Sequence, residues 1–139
     1  MTVDIQPHVE ALVTALAARD LRVYESAAGQ KIDGTYETPT APYVVLYFDG
    51  GVRSGLSLVD DHEESSEHDV EAWSVGKSPR SARSVQSDVL ALVGAQLAVP
   101  GRLVKVRHAF SDRVKPDRDD PRTALWQGRD GLTLTSLKA

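Results

Sequence analysis

The most restrictive feature of this chain is an apolar run near its middle, residues 43–49, with the sequence YVVLYFD. Tyr43, Val45 and Tyr47 lie on one face of an extended strand here, and the residues that alternate with them, all apolar, lie on the other. A strand that is apolar on both sides has to be covered on both sides. The sequence therefore predicts a sheet with a packed layer on one face and a second cover on the opposite face.

Two amphipathic helices supply the first cover. One is predicted over residues 5–17, where apolar residues recur at helical spacing after Asp4, a suitable N-cap. The other is predicted to begin at the pair Ser78-Pro79, a favourable N-cap and first-turn combination, and to continue to Pro100. Both helices are expected on the same face of the sheet.

Alternating and apolar segments predict the other strands. These lie at 21–26, 52–59 (after the hairpin signal Gly50-Gly51), 70–75 and 103–110, followed by a final hairpin of 125–127 and 132–137 with its turn at 129–131. The order of helix, strands, helix and strands predicts an α+β fold with a mostly antiparallel sheet, packed by two helices on one face. Residues 1–139 are expected to form one domain.

Charge is distributed unevenly along the chain. The net charge is −4, but residues 1–101 carry −8 and residues 102–139 carry +4. Residues 60–69 hold six acidic side chains and no basic one, which predicts a solvated loop. The acidic balance excludes a generally basic nucleic-acid coat, and no motif for sequence-specific nucleic-acid binding is present. A chain with an acidic body and a basic end is suited to head-to-tail self-association.

Composition also limits the chemistry. There is no cysteine, which excludes disulfides, zinc–thiolate sites and thiol catalysis. The N-terminal sequence lacks a signal-peptide pattern, and no window is long and apolar enough for a membrane span. We therefore expect a soluble intracellular chain without membrane contact, or one that acts after cell lysis without secretion.

The acidic segment contains the only candidate ligands for a metal. His62 and His68 lie among its carboxylates, but their spacing fits neither the metalloprotease nor the EF-hand pattern. A small metal-dependent enzyme that uses these histidines is therefore kept only as an alternative. The sequence predicts no catalytic residue, no metal and no cofactor.

The residues proposed for contacts with other proteins fall in two groups. The second apolar face of the central strand needs a cover, and a subunit interface formed by Tyr43, Val45, Tyr47 and Trp73 would provide it. Charged loops are expected to face partner proteins through Asp60, Asp61, Glu63, Glu64, Glu67, Asp69, Arg113, Lys115 and Arg118.

Several segments, in this order, resemble one family. They are the opening helix, the strand LRVYES, the Gly- and Pro-containing loop before PYVVLYFD, and the strand, turn and helix VEAWSVGKSPRSARSVQSDVLALVGAQL. Together with the closing strands they resemble the tail terminator (tail completion) proteins of long-tailed bacteriophages. The resemblance covers nearly the whole chain in order and hydrophobic pattern.

The resemblance implies a structural virion protein without enzymatic activity. Such a protein forms a ring, typically a hexamer, that caps the tail tube, stops its elongation and joins the tail to the head. The implied partners are further copies of the chain, the tail tube protein and head-side connector proteins. The implied location is the head–tail junction of the virion, after assembly in the host cytoplasm. The alternative within the same assembly is a head–tail connector, head-closure or adaptor subunit.

Overall fold

A computed structural model describes residues 5–48 and 65–139. Its elements are α1 (Gln6–Ala17), β1 (Val23–Glu25), β2 (Tyr43–Phe48), β3 (Ser65–Gly76), α2 (Pro79–Leu90), β4 (Gln96–Leu97), β5 (Arg102–Ser111), β6 (Lys115–Pro116) and β7 (Trp126–Lys138). The strand predicted at 52–59, the turn before it and the first half of the acidic segment lie outside the described residues.

The described strands form a seven-stranded sheet in the order β1-β2-β3-β7-β5-β4, with β6 also paired to β7. The pair β1–β2 is parallel and every other pair is antiparallel. The predicted α+β class with a mostly antiparallel sheet is confirmed.

Both helices pack on the same face of this sheet, as predicted. Leu12 and Leu16 of α1 and Val85 and Val89 of α2 are buried in one apolar cluster with sheet residues such as Leu134. Ser78 caps α2, since its hydroxyl accepts a hydrogen bond from the backbone N–H of Ser81 at 3.1 Å. Neither helix in the described part of the chain is long and apolar enough to cross a membrane.

Buried polar side chains join α1 to β3 and β7 of the sheet. His8 is hydrogen-bonded to the Ser136 hydroxyl at 2.8 Å, and its ring centroid lies 4.4 Å from that of His68. His68 is hydrogen-bonded to Ser66 at 2.9 Å, and Arg102 Nε donates to Ser136 at 2.9 Å. These contacts join α1 to β7 through Ser136 and to β3 through His68, and Ser136 is joined in turn to Arg102 of β5.

The opposite face of the sheet, here called the outer face, is covered only in part. A second buried cluster lies there, formed by Tyr24, Tyr43, Val45 and Val75 with Ala28, Ala41, Trp73 and Leu125 packed around it. The loops before β2 and before β7 supply this cover. Tyr24 anchors the first loop, because its hydroxyl donates to Glu37 at 2.8 Å.

The predicted C-terminal hairpin is wrong. Residues 126–138 form one strand, β7, without a turn at 129–131. Gly131 and its neighbours stay extended because β7 is paired on both sides: Arg129 is opposite Trp73 of β3, and Gly131 is opposite both Glu71 of β3 and Phe110 of β5.

The predicted ends of both helices also change. Helix α1 begins at Gln6 with Ile5 at the N-cap position and no side-chain cap, and Asp4 lies outside the described residues. Helix α2 ends at Leu90 instead of continuing to Pro100. Gly94, at φ +87°, takes the chain out of the turn after α2, and its N–H donates to the carbonyl of Val106 on β5. Pairing with β5 replaces the last helical turns.

Two strand predictions need smaller corrections. The strand expected at 70–75 begins at Ser65, so the second half of the acidic segment is strand and His68 is fully buried. In β5, alternation along an unbroken strand at 103–110 predicts that His108 and Phe110 share a face. A register shift between them instead turns Phe110 to the outer face. Trp73 and Val75 lie on one face, as alternation along the predicted strand at 70–75 requires.

Alkaline pH should test the anchoring of the loop before β2. Burial, with the hydrogen bond to Glu37, raises the pKa of Tyr24 to about 12. The unfolded chain releases this proton near pH 10, so the contribution of Tyr24 to the free energy of unfolding is fully present below pH 10. This contribution falls as the pH rises towards 12, by up to roughly 1.4 kcal/mol per pH unit. Urea unfolding between pH 8 and 12 should show a shallower alkaline loss for Tyr24→Phe. The control Tyr36→Phe alters an exposed ring and should follow the wild type. If the free energy of unfolding falls with pH at the same slope in all three proteins, the alkaline loss does not come from Tyr24.

Candidate interaction surface on the outer sheet face

Among residues 5–48 and 65–139, the loops leave the middle of the outer face open. An open groove of about 790 Å³ lies there, and its lining includes Tyr47, Glu71, Trp73, Phe110 and Gly131. Tyr47 and Phe110 are 41% and 39% exposed, which is high for aromatic side chains in a sheet. We call Tyr47, Trp73, Phe110 and Arg129 the aromatic patch.

Arg129 is the centre of the aromatic patch. Its guanidinium carbon lies 5.0 Å from the centroid of the Phe110 ring and 5.7 Å from that of Trp73, within the range of cation–π attraction. Its Nη2 lies 2.7 Å from a carboxylate oxygen of Asp112, and its Nη1 lies 3.8 Å from Glu71. Glu71 also accepts a hydrogen bond from the Trp73 indole N–H at 3.2 Å. Two rings and two carboxylates therefore fix the orientation of one half-buried cation.

Gly131 makes room for the Phe110 ring. The two residues are opposite each other on β7 and β5, and a Cβ atom on Gly131 would overlap the ring carbons of Phe110. The ring consequently packs closely on β7 at Gly131, with its centroid 5.0 Å from the guanidinium carbon of Arg129. Glycine at this position is explained by close packing and not by a turn.

The patch has the composition of a protein-binding surface. Tyrosine, tryptophan, phenylalanine and arginine are enriched at protein interfaces, and clusters of them contribute most of the binding free energy. Because Arg129 is already held between its neighbours, little side-chain entropy remains to be lost when a partner covers it. The arrangement is suited to binding another protein surface.

The predicted interface residues have different surroundings in the structure. Tyr43 and Val45 are 6% and 3% exposed, because the chain's own loops and Tyr24 cover them. The expectation that this whole face is open is therefore wrong for these two residues. Tyr47 and Trp73 lie in the open groove, and a subunit interface through them stays a prediction.

The predicted charged residues lie at opposite ends of the sheet. Glu67 and Asp69 are exposed near the start of β3. Lys115 is exposed near the other end of β3, because it pairs with Gln127 of β7, and Gln127 pairs with Val75 of β3. Arg113 and Arg118 are exposed and lie close to Lys115 in the sequence. The strand from Glu67 to Val75 spans about 26 Å. Asp60, Asp61, Glu63 and Glu64 lie outside the described residues, and partner contacts through these charged groups stay a prediction.

One of the two histidines of the metal-site alternative, His68, is buried in the structure. His68 points beneath the helices, where it contacts His8 and Ser66, and His62 lies outside the described residues. Among residues 5–48 and 65–139 no group of three or more metal-ligating side chains is close enough to hold a metal ion. Ser111 contacts both His108 and the buried Asp130, but the serine lies between the other two, unlike a nucleophilic triad in which histidine is central.

Sequence reasoning missed half of the aromatic patch. The sequence predicts Arg129 in a turn, since Gly-Arg-Asp-Gly (128–131) has turn composition, and it does not indicate Phe110 as an interface residue. The contact that explains both residues is the packing of Phe110 on Gly131, which joins positions on two different strands. No local pattern in the sequence indicates it.

Comparisons with known proteins show the fold. No protein-family model matches the chain, and a search of curated proteins finds no match. Among solved structures, a chain from the virion of a native gene transfer agent (GTA) particle is similar, with 19% identity, a TM-score of 0.59, and 98% of this chain and 96% of that chain covered. A second solved structure has 19% identity, a TM-score of 0.56, and 96% and 95% covered. The described fold is thus shared over nearly the full length of both.

The Gly131–Phe110 contact can be tested by coupled substitutions. Alanine in a strand is ordinarily no less stable than glycine. We expect Gly131→Ala to lower the free energy of unfolding by about 1–3 kcal/mol, because the new methyl group displaces the Phe110 ring. In a Phe110→Ala background the same substitution should cost little, as measured by urea unfolding. An equal cost in both backgrounds would show that Phe110 is not what constrains Gly131.

Proposed function

We propose that this chain is a structural virion protein without enzymatic activity, and specifically a ring-forming tail terminator. It caps the tail tube, stops its elongation and provides the surface to which the head is joined. The observation that carries the proposal is the open aromatic patch, on a fold that a chain of a gene transfer agent virion shares over nearly its full length.

The location of the patch supports an assembly role. The helix face is closed by α1 and α2, whereas the outer face keeps large aromatic side chains exposed next to a fixed arginine. Exposed aromatic residues in a soluble chain favour contact with other proteins. Repeated copies of one chain that meet through two different patches close into a ring when the rotation between them allows it.

The order of segments in the sequence supports the finer assignment. A helix that follows a strand and a short capped turn, as at Val75 to Ser84, resembles the tail terminator family. In this proposal the ring is a hexamer, the tail tube protein binds one side of it and head-side connector proteins bind the other. The free chain is made in the host cytoplasm, and the assembled ring lies at the head–tail junction.

Deletion of the gene from a phage or gene transfer agent that carries it tests this role directly. Negative-stain electron microscopy should show overlong tail tubes without attached heads, because nothing stops tube elongation. Tubes of normal length that fail to join heads would instead indicate a head–tail connector or adaptor subunit. Normal particles would contradict a structural role.

The contribution of the aromatic patch can be measured in the same system. The double variant Tyr47→Ala/Phe110→Ala removes two exposed rings, and we expect at least a tenfold loss of particle titre, in line with interface hot spots. Tyr36→Ala, which removes an aromatic ring that is 67% exposed outside the patch, should assemble normally. Thermal unfolding verifies that both variants fold. Full titre from the double variant would mean that assembly does not use the patch.

A further inference from the structure

The outer face carries two charged columns beside the aromatic patch. Glu67 and Asp69 form an acidic column on β3, and Lys105 and Arg107 form a basic column on β5. Strand β7 runs between them, so that Thr135 is opposite Glu67 and Lys105, and Thr133 is opposite Asp69 and Arg107. The columns are about 10 Å apart, which is two strand spacings.

These charges are not used within the described part of the chain. All four side chains are exposed, and none forms an ion pair with another described residue. Asp69 accepts one hydrogen bond, from the Thr133 hydroxyl at 2.9 Å. Four exposed charges of two signs, arranged in rows on a regular sheet, favour a partner with the complementary arrangement.

Symmetry shows that a second copy of the chain has that arrangement. When two such faces are placed opposite each other around a two-fold axis parallel to the strands, β7 faces β7 and β3 faces β5 of the other copy. Each row keeps its level along the axis, so Glu67 meets Lys105 of the other copy and Asp69 meets Arg107. A two-fold axis perpendicular to the strands instead places β3 of one copy opposite β3 of the other, so that acidic side chains face acidic side chains and repel. Only the first arrangement is self-complementary.

Packing geometry and apolar contacts are consistent with this arrangement. Sheets that pack face to face keep their strand directions within about 30° of each other. Because the charged residues occupy only two neighbouring rows, those of Thr133 and Thr135, this angle leaves each charged pair close together. In the next row Leu137, which is 48% exposed, would meet its own counterpart on the axis. The patch measures about 20 by 10 Å, which is small for a stable dimer and suits a weak, reversible one.

We propose that the free subunit forms a two-fold dimer through this face, held by the pairs Glu67–Lys105 and Asp69–Arg107 between copies. This contact goes beyond the ring proposed above, since it joins copies symmetrically rather than head to tail. The dimer would also cover part of the adjoining aromatic groove, which shields that surface in chains that have not yet met a partner.

Sedimentation and light scattering of the purified chain alone, without tube protein, provide the first test. The expected result is a monomer–dimer equilibrium at concentrations that reach the millimolar range, with the dimer weakened by added salt because its contacts are ionic. A chain that stays monomeric at low salt would overturn the proposal. The proposed function is tested separately by gene deletion, so a monomer here would leave that proposal standing or falling on its own experiment.

Charge reversal provides the decisive test. The all-acidic variant Lys105→Glu/Arg107→Glu and the all-basic variant Glu67→Lys/Asp69→Lys should each lose at least tenfold in self-affinity. Mixed in equal amounts, they should form a heterodimer. A variant with all four substitutions should pair with itself but not with the wild type. Failure of the mixture to associate, when both variants are folded, would overturn the assigned pairs.

A matched control separates local contacts from net charge. Arg80→Glu/Arg83→Glu makes the same charge change as the all-acidic variant, at two exposed positions of α2. This control should dimerise like the wild type. An equal loss of dimer in the control and in the all-acidic variant would show that net charge alone governs association, and would overturn the proposal.

Discussion

The pairing of β7 on both of its edges is the constraint on which the rest of the structure depends. Its 13 residues join β3 on one side to β5 and β6 on the other. A turn within β7 would break backbone hydrogen bonds to both neighbours at once, which is why a glycine-containing segment remains extended. The residues of β7 then alternate between the helix face and the outer face. Leu132 and Leu134 are buried on the helix face, whereas on the outer face Arg129 belongs to the aromatic patch and Gly131 makes room for Phe110.

This alternation gives the two faces different roles. The helix face is covered by α1 and α2 through apolar contacts and through the polar cluster around His8 and His68. The outer face has three parts: one covered by loops around Tyr24, one open and aromatic, and one open and charged. Under the proposals made above, two open parts of different chemistry on one face let a subunit make different contacts before and during assembly.

The fold class, the shared face of the two helices and the Ser78 cap could be predicted because each depends on local periodicity or capping chemistry. The positions of Arg129 and Phe110 could not, because a contact between strands determines them. The register shift after His108 has no local signature, and the composition of residues 128–131 favours a turn more than a strand. The contact role of Tyr47 could be predicted from the strand that is apolar on both faces, and that of Trp73 from the strand predicted at 70–75. The loops that bury Tyr43 and Val45 could not be predicted.

The central claim is that the aromatic patch is covered by another protein in the assembled particle. Hydroxyl-radical footprinting with mass spectrometry measures this directly, by comparing side-chain oxidation in the isolated chain and in intact particles. The account predicts that oxidation of Tyr47, Trp73 and Phe110 falls severalfold in the particle, whereas oxidation of the exposed Tyr36, outside the patch, changes less. Equal oxidation of the three patch residues in both states would contradict it.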